Sequence, residues 1–193
     1  KKAGPRSKVL VDIGHHYNAT NIEQIVAWLL DEDMFGGLHL NDRRYADDDL
    51  TLGSIDPYQI FRVFHEIHFF ASDRGKMPKI PYMVDQCHNE KPKVEAMLQT
   101  VAIAQELFAK AAIVDHDALR KAQSKNNAID AELVLKKAFF TDVTPALDAY
   151  RKRNTLPANP IAEHRRQGYE KAAAKDRNRR RKEMGITRGG SFA

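Results

Sequence analysis

Three short apolar runs punctuate the first half of the chain: Val9-Leu10-Val11-Asp12, Gly37-Leu38-His39-Leu40-Asn41 and Ile80-Pro81-Tyr82-Met83-Val84-Asp85. Each is bounded by polar or turn residues, which predicts strands. Each is followed by apolar positions at helical spacing. After the first, Thr20 with Glu23 three residues on reads as a capping box, ahead of a stripe of Ile22, Ile25, Val26, Leu29 and Leu30. After the second, Asp56-Pro57 reads as an N-cap with proline in the first helical position, and Ile60, Phe61, Val63, Phe64 and Ile67 supply the helix face. After the third, Pro92 opens a long helix with Val94, Met97, Leu98, Val101, Gln105 and Phe108 at helical spacing.

Strand–helix alternation of this kind predicts βαβ units and a parallel sheet. Parallel sheets are buried on both faces, so three strands call for more, from upstream or from a partner. The chain begins with Lys rather than Met, which agrees with an upstream expectation. From about Asp115 onward no strand is predicted. Residues 118–124, 128–140 and 144–153 read as helices, 156–160 as a linker and 163–183 as a charged helix, with a disordered end from Gly185. The expected organisation is therefore residues 1–114 as strand–helix units and residues 115–193 as a helical extension with a basic tail.

Composition narrows the function classes. With 42% hydrophobic and 30% charged residues over 193 positions, the chain has a globular profile. Its longest apolar candidate, 97–114, is interrupted by Gln99, Gln105, Glu106 and Lys110, so no membrane span is expected. A single cysteine, Cys87, excludes an internal disulfide framework and fits a reducing, cytoplasmic setting. The net charge of +5 is uneven: residues 164–188 carry +7 and the rest −2. The basic tail could meet nucleic acid electrostatically, but no aromatic lies between Tyr169 and Phe192 to stack a base. A solvated helix is the favoured reading.

The candidate chemistry lies at the strand ends. Asp12, His39 and Asp85 each fall at or near the C-terminal end of a predicted strand, the face on which (β/α)8 barrels build active sites. Three residues distant in sequence but equivalent in position could converge on one ion. His15, Asp47 and Asp49, on the loops over the same face, could make a second site. Mixed imidazole and carboxylate ligands suit Mn, Co or Zn better than Ca. Two look-alike motifs fail. Asp47–Asp49 begins no EF-hand, because the glycine would fall at Leu52 and the final Glu at Tyr58. His65-Glu66-Ile67-His68 spaces its histidines i,i+3 rather than i,i+4, and both read as helix-surface residues. His88 reads either as a residue that supports the ligands from behind or as a merely polar loop residue, and Cys87 carries no assignment.

Residues 9–23, the uninterrupted 37–56 and 82–89 closely resemble L-rhamnose isomerase, in its bacterial, broad-specificity branch. The resemblance extends over most of residues 9–150. It implies an α/β fold: the last three βα units of a (β/α)8 TIM barrel of the xylose-isomerase type, then a C-terminal α-helical extension. It implies a homotetramer that interconverts L-rhamnose and L-rhamnulose, and possibly other aldoses, through two divalent ions, Mn2+ foremost with Zn2+ or Co2+ as alternatives. By the same resemblance, a structural ion takes Asp12, His39 and Asp85 together with a Glu from an upstream strand. A catalytic ion takes His15, Asp47 and Asp49. Catalysis then falls to Asp85, His15, Asp47 and Asp49, and contact with the sugar to Asp12, His39 and Asp85. The upstream strands are required for activity. The alternatives are a sugar epimerase or another metal-dependent enzyme of the same barrel class, or an inactive fragment whose tail binds nucleic acid.

Overall fold

The computed structural model describes residues 4, 6–45, 48–87 and 90–186. Among them are three strands and eight helices. The order is β1 (Val9–Asp12), α1 (Ile22–Asp31), β2 (Phe35–Leu40), α2 (Pro57–Arg74), β3 (Tyr82–Val84), α3 (Lys93–Ala112), α4 (His116–Ser124), α5 (Ala128–Phe140), α6 (Thr144–Arg153), α7 (Pro160–Gln167) and α8 (Tyr169–Glu183). The strands form one parallel sheet in the order β1-β2-β3. This is the expected α/β arrangement of strand–helix units followed by helices.

Pairing sets Asp12 opposite His39 and His39 opposite Met83. Side chains alternate between the two faces of a strand, so this register fixes what each face carries. Val11, Leu38 and Leu40 turn to the helices and are buried. Leu10 and Met83 lie toward the other face and are exposed, at 44% and 43%. The described helices therefore cover one face of the sheet well and leave the other largely open. Strand 2 begins two residues earlier than the sequence predicts, because Phe35 pairs with Val9 across a register shift. Strand 3 is shorter than the predicted run. Pro81 has no N–H to give a ladder, although its carbonyl accepts from Leu38 N at 3.1 Å.

Helix α2 carries the centre of the core. Asp56 caps it, accepting from Gln59 N at 2.9 Å, and Pro57 takes the first turn. Its Ile60, Phe61, Val63, Phe64 and Ile67 are all 1% exposed or less, and each such side chain contributes about 1.5–3 kcal/mol by leaving water. Phe64 meets Phe108 of α3 edge-on, and Phe61 meets Phe139 of α5. Leu119 of α4 and Ala138 of α5 join the same apolar cluster as Val11 and Leu38 of the sheet.

Four local expectations are corrected. The cap of α1 is Asn21, accepting from Gln24 N at 2.9 Å, not Thr20 one residue earlier. Helix α3 buries Ala96, Thr100, Leu107 and Ala111, while Val94, Met97 and Val101 are exposed, so its buried stripe is rotated from the predicted one. The predicted charged helix over 163–183 is two helices. Gly168 sits between them with φ 64°, a left-handed conformation that stops a helix. His65 and His68 do not lie on the surface. His65 is 5% exposed, His68 packs on Phe108, and His116 of α4 lies against His65. This histidine–phenylalanine contact joins α2, α3 and α4. No single helix among the described residues is long and apolar enough to cross a membrane.

Candidate metal centre

Register alone places Asp12 and His39 side by side at the C-terminal end of the sheet, and β3 delivers Asp85 beside them. His39 Nδ1 lies 2.6 Å from Asp12 Oδ2 and 3.0 Å from Asp85 Oδ2. The ligand-capable atoms of Asp12, His39 and Asp85 are all within 4.8 Å of one another. One ring nitrogen can give one proton at most, yet two carboxylates converge on it. Asp12 and His39 are partly buried, and the Asp85 side chain is 49% exposed. One side of the cluster thus stays open to a ligand.

The other oxygen of Asp12 is already held. Asp12 Oδ1 accepts from Gly14 N at 3.0 Å and from Asn41 Nδ2 at 2.9 Å, which leaves Oδ2 aimed at the cluster. Orientation of a ligand carboxylate by fixed donors is the pattern found around bound metals. Burial tends to raise the Asp12 pKa. The bonds from Asn41 and His39, with the nearby His15 and His39 rings, outweigh it and hold the carboxyl below its ordinary value. Two carboxylates and an imidazole fit a divalent cation of the Mn, Co or Zn type.

A second cluster forms over the first. Asp12, His15 and Asp49 also bring their ligand atoms within 4.8 Å of one another, and His15 Nε2 lies 3.7 Å from Asp12 Oδ2. Asp12 thus belongs to both clusters, which the sequence reading treats as separate. Asp47, the third residue expected in the second site, lies outside the described residues, as does His88. His15 is 55% exposed on its side chain, as suits a residue meant to meet a ligand.

Both loops owe their shape to buried polar residues. Asp42 and Leu50 exchange backbone bonds at 2.9 and 2.8 Å, closing the acidic loop into a hairpin, and Asp42 Oδ2 accepts from Ile55 N and Asp56 N at 2.8 and 3.1 Å. Asp49 then has φ 44° and its carbonyl accepts from Cys87 N at 3.0 Å, tying this loop to the one that bears Asp85. Arg43, 5% exposed, donates to Ile13 O and Tyr17 O at 2.9 Å each and to Gln59 Oε1 at 3.1 Å. It clamps the His15 loop between the hairpin and α2. Burial, followed by the charge of Arg43, lowers the pKa of the adjacent His16.

Asn41 and Arg43 are the residues that sequence reasoning misses. One signal was available for Asn41: it stands two residues past His39 and so shares its face. Gly14 has a matching role. A Cβ there would meet Asn41 Nδ2 at 2.8 Å, so the close approach requires glycine. The geometry brings together five of the six expected ligands: Asp12, His15, His39, Asp49 and Asp85.

No family model matches the chain. Over 177 residues, 92% of the chain, it is 40% identical to a probable sugar isomerase of Rhizobium meliloti. Over the same length it is 38% identical to a probable sugar isomerase of Mesorhizobium japonicum. The chain spans 41% of the length of each of these curated relatives.

Proposed function

We propose that these residues form the C-terminal part of a metal-dependent aldose–ketose isomerase, acting on L-rhamnose and related aldoses. The observation that carries this is the convergence of Asp12, His39 and Asp85 at the C-terminal ends of three parallel strands, with His15 and Asp49 on the loops above. The relatives named as sugar isomerases support it at the level of sugar isomerisation. The open sheet face bearing Leu10 and Met83 supports the remaining part, that further strands close a (β/α)8 barrel over this one.

Asp12, His39 and Asp85 would hold one divalent ion with a carboxylate from an upstream strand, and His15, Asp49 and Asp47 a second. Bound divalent ions polarise a carbonyl oxygen and lower the pKa of a coordinated water. The chain's own residues do the rest. Asp12, anchored through its Oδ1 by Gly14 and Asn41, keeps its Oδ2 toward His39 and His15. Asp85 and His15, the more exposed members, face the side from which two adjacent sugar oxygens would approach and orient them there. Burial of Asn41, Asp42 and Arg43 beneath the loops keeps water from the floor. A homotetramer in the cytoplasm is part of the same proposal.

The test is a panel of aldoses, L-rhamnose first, incubated with the protein carrying its upstream strands, before and after chelation and Mn2+ return. Ketose formation that stops on chelation and returns with Mn2+ is expected. Epimerisation at one carbon without ketose formation would assign the site to a sugar epimerase and refute the isomerase.

A further inference from the structure

The two ligand clusters touch at a buried amide. Asn41 is 0% exposed. Its Nδ2 donates to Asp12 Oδ1 at 2.9 Å and to Asp49 Oδ1 at 3.1 Å, while its Oδ1 accepts from Gly14 N at 2.7 Å. The orientation of the amide follows from chemistry. Ionised carboxylates only accept and a backbone N–H only donates, so the nitrogen must face Asp12 and Asp49 and the oxygen must face Gly14. All three bonds are made in one arrangement and none in the flipped one.

This amide spans elements that are far apart in sequence. Asp12 ends β1, Gly14 begins the His15 loop, Asn41 follows β2 and Asp49 closes the acidic hairpin. Asp12 belongs to both clusters, whereas Asp49 belongs to the second alone. A rigid group bonded to both carboxylates fixes their separation.

We infer that Asn41 is a positioning residue that couples the two ligand clusters, so that the geometry of each depends on the same amide. This coupling rests on the metal-site assignment proposed above. The fit of Gly14 against the amide, where a Cβ would come within 3.1 Å of Asn41 Cγ, gives a second handle that alters the amide while Gly14 N keeps its own bond to Asp12 Oδ1. Alanine at position 14 must push the amide off at least one of its carboxylates.

Mn2+ binding to the full protein tests this, with free Mn2+ read by its electron paramagnetic resonance signal and folding followed in parallel by thermal melting. Two ions are expected to bind the unmutated protein. Asn41→Leu, which keeps the shape and removes both N–H donors, is expected to weaken both ions by about 10- to 100-fold, the range for loss of an outer-sphere partner. Gly14→Ala is expected to weaken both in the same direction and keeps the test decisive if Asn41→Leu does not fold. A purely structural role would lower the melting temperature and leave the affinities of the folded protein unchanged, and that result overturns the inference. Weakening of one ion alone by either folded variant overturns it too. An unmutated protein that takes up no Mn2+ overturns the metal assignment and the coupling with it, whereas two ions held equally tightly with and without Asn41 overturn the coupling alone.

Discussion

Arg43→Met is the most informative single perturbation of the scaffold under the site. The methionine keeps the length of the apolar stem and removes the fork that bonds Ile13 O, Tyr17 O and Gln59 Oε1. Ile13 is 0% exposed and Gln59 8%, so at least two acceptors lose their partner out of reach of water. Leaving a buried polar group unsatisfied costs about 1–3 kcal/mol each. The guanidinium itself is expensive to bury: burial lowers its pKa, against the favourable charges of Asp42, Asp56 and Glu23, and relief of that burial offsets part of the loss. The net expectation is a destabilisation of about 3 kcal/mol. For a chain of this size that corresponds to a fall in Tm of roughly 6–12 °C. Arg43→Lys should fall between the two, because one ammonium cannot span three acceptors set by a planar fork. Urea denaturation and thermal melting of the three proteins, side by side, measure it. A Tm for Arg43→Met within about 2 °C of the unmutated protein would refute the idea that this side chain clamps the His15 loop.

Acid should destabilise the fold through the histidine contact between α2, α3 and α4. Burial, reinforced by His116 and His65, lowers the His68 pKa from 6.5 to about 4, and burial lowers that of His116 as well. The unfolded chain therefore takes up protons that the fold refuses, so stability is greatest above pH 6.5 and falls as pH drops through the window down to about 4. Partial solvent access to the ring reduces the His68 share to about 1–2 kcal/mol. Urea midpoints between pH 7 and pH 4 should fall less steeply in His68→Phe, and an unchanged slope counts against it. His15→Ala should weaken Mn2+ uptake at the second cluster at least about 10-fold with Tm unmoved, since the ring is 55% exposed; calorimetry showing unaltered uptake removes His15 from the site. Gly168→Ala forces a side chain into φ 64° and should destabilise by about 1–2 kcal/mol; a Tm equal to or above that of the unmutated protein would mean that α7 and α8 can run on without the break.

What was legible in the sequence, and what was not, divides along the range of the forces involved. Alternation of strands and helices is written in local periodicity, and Asp56-Pro57 announces the start of α2 by chemistry confined to four residues. Asp12, His39 and Asp85 could be grouped because the ends of parallel strands share one edge of a sheet, so a position along a strand is already a position in space. The break at Gly168 was also local, but a run of charge with little apolar face concealed it. His65 and His68 are hidden for a different reason: polar residues at helical spacing look solvated until an aromatic surface such as Phe108 covers them. Asn41 and Arg43 lie further still beyond a one-dimensional reading. Asparagine after a strand is ordinary turn chemistry, and arginine in a polar loop is ordinary surface. Their roles exist only once β1, β2 and the hairpin enclose them, when burial demands that every N–H find an acceptor. The convergence of Asp12, His39 and Asp85 is therefore foreshadowed by strand ends, whereas the roles of Asn41 and Arg43, which hold these side chains and loops in place, emerge from the packing of loops against each other.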